Sequence, residues 1–343
     1  MAINWTMYLT EGLQVLVWIA CVLGWWAAGI RVLRGQPILD YTRPRLAPWG
    51  LVDLLWMVLL WFLLQVIASL LWYRSHGLTL EEMAADAASS PSAAMIAWFA
   101  LVNLLGLCLA LWLLERNLGT TAADVGLTPM GDGLRAGRQP FLMDLVHGLL
   151  AFAMLIVPVF LLQWLLVTWW LPSEHPVIEV LGHDASLRSF GLLGFAAVIV
   201  APVVEEYLFR VFLQGWFENV AALRRLGDPA LPAPDQVWTW LWLGPARTAT
   251  DTDRPLPVTA GEVDRGGPLS ADPGARVRPA WWPIVGSSGL FAVAHLGHGP
   301  DPIPLFLLAL GLGYLYQRTR RILPCIYVHV LINGASLAAL WLK

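Results

Sequence analysis

Residues 189–217 read SFGLLGFAAVIVAPVVEEYLFRVFLQGWF, an apolar run with Glu205, Glu206 and Arg210 in its interior. The run exceeds the roughly 20 residues with which a helix crosses a bilayer core. A charge in hydrocarbon costs about 2.5–3.5 kcal/mol on insertion scales, so the charges within this run are functional candidates. The remainder of the chain is strongly apolar as well. Of 343 residues, 58% are hydrophobic and 13% charged, with a mean hydropathy of +0.63. Soluble domains carry about 25% charged residues. This composition excludes a disordered chain and argues against an ordinary cytosolic enzyme.

Six other blocks read as membrane helices: Gly12–Ile30, Leu54–Tyr73, Ala94–Leu114, Leu145–Leu171, Trp281–Gly297 and Ile322–Leu342. A shorter, glycine-containing block, Ile303–Gln317, is the eighth. The expected fold is all-α, a polytopic transmembrane helical bundle of about eight spans. Trp and Tyr crowd the block ends, as at Trp72–Tyr73 and Trp169–Trp170, where their rings suit the headgroup level. The first block has no preceding Lys or Arg and is too long for a signal peptide, so it is expected to be a retained helix. Cys21, Cys108 and Cys325 all lie in apolar blocks without paired spacing and read as small hydrophobes. The net charge of −3 gives no sign of a nucleic-acid partner.

Arginine sets the orientation. With the N-terminus outside, Arg31, Arg34, Arg43, Arg45, Arg116, Arg135, Arg138, Arg318, Arg320 and Arg321 fall in inner loops. Only Arg74, Arg188 and Lys343 fall outside. Seven more arginines lie in the long 218–280 segment, also inside, although long loops weigh little in this rule. That segment is rich in Pro, Gly, Asp and Thr and reads as a flexible insertion. Its apolar piece Val237–Leu243, VWTWLWL, could lie at the membrane interface. The chain thus divides into N-terminal transmembrane helices, 1–184, and a core, 185–343, interrupted at 218–280.

Three polar clusters lie inside apolar blocks of the core. Glu206 and Arg210 are four residues apart, so they share one helix face with the acid first, the favourable order. Glu205 points about 100° away and is left without its own cation, a setting for a general base. Phe291 and His295 lie one turn apart in FAVAH, and His329 and Asn333 in HVLIN. His147 and Asp53 sit near span edges and read as interfacial. One carboxylate, two imidazoles and a carboxamide on three helices are the parts for activating a water. Glu205 and His295 would polarise it, while His329 and Asn333 donate to an oxyanion. Glu205, His295 and His329 also suit a divalent metal, zinc above all, with water in the fourth position. The residues leave the metal and metal-free routes open. HExxH is absent, which excludes a zincin-like helix.

EEYLFR at 205–210, FAVAH at 291–295 and HVLIN at 329–333 follow one another in the order EExxxR, FxxxH, HxxxN. In this the chain resembles the CPBP intramembrane proteases, which include CAAX prenyl proteases and bacteriocin-processing or immunity proteins. The resemblance covers about residues 185–343. It implies that Glu205 is the catalytic glutamate, with Glu206, Arg210 and Phe291 in supporting roles. It also implies a membrane-associated peptide or protein substrate and a multi-pass protein of a bacterial inner membrane. Two rivals remain from the sequence: a non-catalytic protein of bacteriocin immunity or partner binding, and a proton-coupled transporter using Glu205 and the histidines.

The orientation makes a prediction of its own. Reporter fusions at Gly261 and at the C-terminus are expected on opposite sides of the membrane. Finding both on one side would remove a span, Ile303–Gln317 first.

Overall fold

The computed structural model describes residues 5–40, 46–77, 91–128, 140–173, 176–223, 236–244 and 280–341. Every regular element among them is a helix. In hydrocarbon, backbone N–H and C=O groups have no water to pair with, so apolar blocks satisfy them internally as helices. We number these α1 (Trp5–Leu33), α2 (Leu51–Ser75), α3 (Ala93–Leu118), α4 (Pro140–Trp169) and α5 (Pro176–His183). The segments from Leu187 to Leu223 follow without a break and form one helix, α6. Then come α7 (Val237–Leu243), α8 (Trp282–Val293), α9 (Pro302–Thr319) and α10 (Leu323–Trp341).

Six of these helices, α1 to α4, α6 and α10, are long and apolar enough to cross a membrane. The shorter apolar α8 packs along α9, so the bundle has about eight spans. Helix α4 is the hub of one side, touching α1, α9 and α10. Helix α6 is the hub of the other, with α3, α8 and α10 around it. The core between them is built from Tyr207, Val211 and Phe212 of α6, Leu308, Leu312 and Leu315 of α9, and Cys325, Val328 and Ile332 of α10. Helix α2 stands at the edge and is held to α3 by a polar contact at membrane depth. Asn103 Oδ1 accepts from Trp61 Nε1 at 2.7 Å and also from the Gln65 amide. Such interhelical bonds stand in for the hydrophobic effect, which is weak between helices in lipid.

Two boundaries differ from the sequence reading. Helix α4 begins at Pro140, not Leu145, because Asp144 is buried in an ion pair instead of lying in a loop. Its carboxylate takes Arg321 Nε at 3.0 and 3.1 Å and a second bond from Nη2. Helix α6 continues to Leu223, so Glu218 and Asn219 belong to the bundle and not to the insertion. Asn219 exchanges two 2.8 Å bonds with the backbone of Ala47, and Glu218 pairs with Arg320. The piece Val237–Leu243 is a helix docked on α2 and the end of α6. Trp240 is buried there, and Trp216 Nε1 donates to the Leu241 carbonyl at 3.2 Å. The approach requires glycine at two places. Gly244 has φ +80°, and a Cβ on Gly50 would lie 2.3 Å from the Trp242 carbonyl oxygen. The expected flexibility of the rest of the insertion falls on 224–235 and 245–279, outside the described residues.

The helix ends sort into two sets. The starts of α2, α4 and α10 meet the ends of α6 and α9 through the Asp144, Asn219 and Glu218 contacts above. Arginine bias predicts that these ends lie inside. At the opposite end, Asp301 before α9 accepts from Gln163 and Ser173 at the end of α4, both at 2.7 Å. These are the ends expected outside.

The Asp144–Arg321 pair makes the packing testable. Asp144→Ala leaves a buried guanidinium without its counter-ion and is expected to destabilise by about 3–5 kcal/mol. Asp144→Leu/Arg321→Met is expected to recover most of that. Thermal unfolding in detergent measures both, and equal loss in the two variants would contradict the ion-pair account.

Candidate active site

Helix α6 carries the first cluster in an unusual winding. Gly194–Val200 and Tyr207–Gln214 have π-helical turns, on either side of the α-helical Ala201–Glu206. Wide π turns recur at functional sites because they re-aim side chains that a regular helix would space evenly. Here Glu205 and Glu206 stand at the end of the regular piece, next to the second widened stretch.

Glu206 and Arg210 form the expected pair on one helix. Arg210 Nε donates to Glu206 Oε2 at 3.1 Å, and both side chains have 0% exposure. Helix α10 then brings His329 between the two glutamates. Its Nδ1 lies 2.9 Å from Glu206 Oε1, and its Nε2 lies 3.7 Å from Glu205 Oε2. His329 is 2% exposed, whereas the Glu205 side chain keeps 26%. Glu205 is thus the one member of this charged group that an incoming molecule can reach.

Phe291 of α8 is the shared wall. Its ring lies 5.4 Å from the Arg210 guanidinium carbon, 4.7 Å from the His295 ring and 5.9 Å from the His329 ring. Arg210 Nη1 and Nη2 have no hydrogen-bond partner among the described residues, and the aromatic face is what they meet. Phe209 packs edge-on against Phe291 at 5.0 Å and fixes the ring from α6. His295, half-buried at the end of α8, has its Nδ1 2.8 Å from the Phe291 carbonyl. A carbonyl only accepts, so Nδ1 carries the hydrogen and the neutral ring keeps its lone pair on Nε2. Just beyond, the loop residue His298 is held below the usual histidine range, chiefly by burial.

Asn333 is one turn beyond His329. Its Nδ2 donates to the Ala197 carbonyl in the first π stretch at 2.8 Å. An amide nitrogen carries two hydrogens, so one remains. The structure therefore links Glu205, Glu206, Arg210 and His329, sets the Phe291 ring against Arg210, His295 and His329, and ties Asn333 to α6 about two turns before Glu205.

Glu205, His295 and His329 are nitrogen and oxygen donors of the kind zinc takes, and each histidine has its Nδ1 engaged, as metal-binding histidines do. As placed, they do not form a metal site: no group of three His, Cys, Asp or Glu among the described residues could hold an ion.

Sequence reading missed residues below the cluster. Gln214 and Glu218 extend Glu206 and Arg210 in steps of four, and all four are buried or nearly so. Gln214 Nε2 donates to Glu218 at 3.1 Å and to the Gly313 carbonyl at 3.0 Å, and Ser287 donates to Gln214 at 3.4 Å. Gln317 donates to Glu218 at 3.4 Å and to the Ala280 carbonyl at 3.0 Å. The four-residue spacing was the signal that could have found them.

Residues 267–335 match the family model described as Type II CAAX prenyl endopeptidase Rce1-like. That match supports a place in the CAAX protease family. It takes in Phe291, His295, His329 and Asn333 and does not reach Glu205, Glu206 or Arg210. No curated protein and no solved structure matches the chain. Over that stretch the chain is similar to a CAAX-type endopeptidase family, and its long apolar helices support a multi-pass membrane protein.

The buried pair predicts the behaviour of a single substitution. Glu206→Gln leaves Arg210 without a counter-ion and is expected to destabilise by about 3–5 kcal/mol. Low yield and a lowered thermal midpoint are the readouts. A variant as stable as the parent would show that Arg210 does not depend on Glu206.

Proposed function

We propose that the chain hydrolyses a peptide bond of a membrane-associated peptide or protein, using a water activated by Glu205. The observation that carries this is the difference in exposure within one charged group. Glu206, Arg210 and His329 are enclosed, and Glu205 alone opens outward. A water between Glu205 and His295 Nε2 meets two acceptors, which orients its lone pair toward a carbonyl carbon. As the oxygen–carbon bond forms, Glu205 takes the water's proton. Charge then develops on the carbonyl oxygen. Asn333, with its second amide hydrogen, and His329, when protonated at Nε2, are the donors for it. The proton held by Glu205 passes to the leaving nitrogen as the C–N bond breaks.

A zinc ion on Glu205, His295 and His329 is the metal-dependent form of this proposal, and it requires His295 to close on the other two. Removal of metal by a chelator separates the forms. Unchanged cleavage supports the carboxylate-only route, and loss restored by zinc supports the metal. The proposed setting is a bacterial inner membrane, with a leader-type or other membrane-bound peptide as substrate. The arginine distribution and the bilayer-length helices support the multi-pass membrane part of this reading.

Glu205→Gln tests the base. The amide is nearly isosteric, and a half-exposed glutamate beside His329 is not needed to neutralise Arg210. The variant is expected to fold and to lose cleavage per folded molecule by about 100- to 10,000-fold. The assay uses purified protein in vesicles with a membrane peptide. Cleavage within a few-fold of the parent would remove Glu205 from the mechanism.

A further inference from the structure

We propose that Glu206 is a positioning residue that acts on the reaction through His329, with Arg210 fixing the carboxylate that does so; this rests on the hydrolase reading above. An ion pair that only stabilised α6 would need nothing from α10. Glu206 instead divides its two oxygens. Oε2 takes Arg210 Nε at 3.1 Å, and Oε1 lies 2.9 Å from His329 Nδ1, across helices. Paired with a guanidinium, the carboxylate is ionised and accepts only, so the hydrogen between it and the ring belongs to Nδ1. That assignment leaves Nε2 as the nitrogen offered to the reaction, and the same ring orientation aims Nε2 at Glu205 Oε2, 3.7 Å away.

The rest of the surroundings enforce the choice. His329 is 2% exposed, so no solvent competes for Nδ1. Phe291 stands edge-on to the ring at 68° and is itself packed under Arg210. Arg210 thereby holds the acceptor from one side and the aromatic wall from the other. Glu206 and Arg210 have no exposed side-chain surface, whereas Glu205 keeps 26%, so neither is placed to touch a substrate. Without the Oε1 acceptor, nothing holds the ring by Nδ1, and it is free to turn. Nε2 would then no longer be aimed at Glu205 and the oxyanion.

The test removes both charges together, since a buried pair replaced by apolar groups of similar volume is often neutral for stability. Glu206→Leu/Arg210→Met removes the acceptor. Glu206→Gln/Arg210→Met keeps an acceptor oxygen without the charges. Both are measured in vesicles beside the parent. The leucine form is expected to lose about 100-fold in kcat with KM within about twofold, the pattern of a lost orienting contact. The glutamine form is expected within about tenfold of the parent. Nitrogen-15 spectra of labelled histidine give a readout that does not depend on turnover. The parent and the glutamine form should show His329 with its hydrogen on Nδ1. A leucine form that keeps kcat within about tenfold would overturn the proposal. So would a His329 ring in the parent without a hydrogen on Nδ1, and this second result stands even if a variant does not fold. Failure of the hydrolase reading looks different: the parent then cleaves nothing, while the tautomer of His329 is as stated.

Discussion

A carboxylate with no exposure survives as an anion in a helical bundle only when each oxygen has a partner, and Glu206 meets that condition through two helices. Arg210 supplies charge from the same turn of α6. His329 supplies a hydrogen from α10. The requirement is strict in lipid, where an unpaired charge has no water to fall back on. It ties α6 to α10, fixes the face of α6 that turns inward, and leaves Glu205, the preceding residue in the chain, partly exposed. The reach of Arg210 to Phe291 brings α8 into the same arrangement.

The same logic repeats at the end of the bundle. Asp144–Arg321 joins α4 to α10, and Glu218–Arg320 joins α6 to the turn after α9. Each pair is nearly enclosed, so each is a registry device as much as an attraction: it is satisfied in one packing and costly in others. Apolar surface cannot do this alone, because between helices in lipid it gains little by meeting more apolar surface. Polar contacts therefore fix the packing, and the site inherits its geometry from them. Where the site needs carbonyl acceptors, the π turns of α6 and the end of α8 provide them, at Ala197 for Asn333 and at Phe291 for His295.

Much of this was legible in the residues. Block lengths are a consequence of bilayer thickness, and they located each long helix with its ends off by up to seven positions. The i, i+4 spacing placed Glu206 on Arg210, because that contact lies within one helix. What the sequence could not show is contact between helices. Nothing in the spacing says that His329 lies between Glu205 and Glu206, that Asp144 meets Arg321, or that Asn219 grips Ala47. The start of α4 was set too late for the same reason: Asp144 looked like a loop residue until its partner was known. The docking of Val237–Leu243 was hidden because it depends on two glycines, Gly50 and Gly244, that are far apart in the chain and adjacent in space.

The central claim is that water, held by Glu205, is the attacking group. A single turnover of the parent in oxygen-18 water, with excess protein over a membrane peptide, tests it most directly. The account predicts one heavy oxygen in the new C-terminal carboxylate of the product and none in the Glu205 side chain. Heavy oxygen in Glu205 itself would mean that the glutamate attacked the carbonyl and was later freed by water, and would contradict the account.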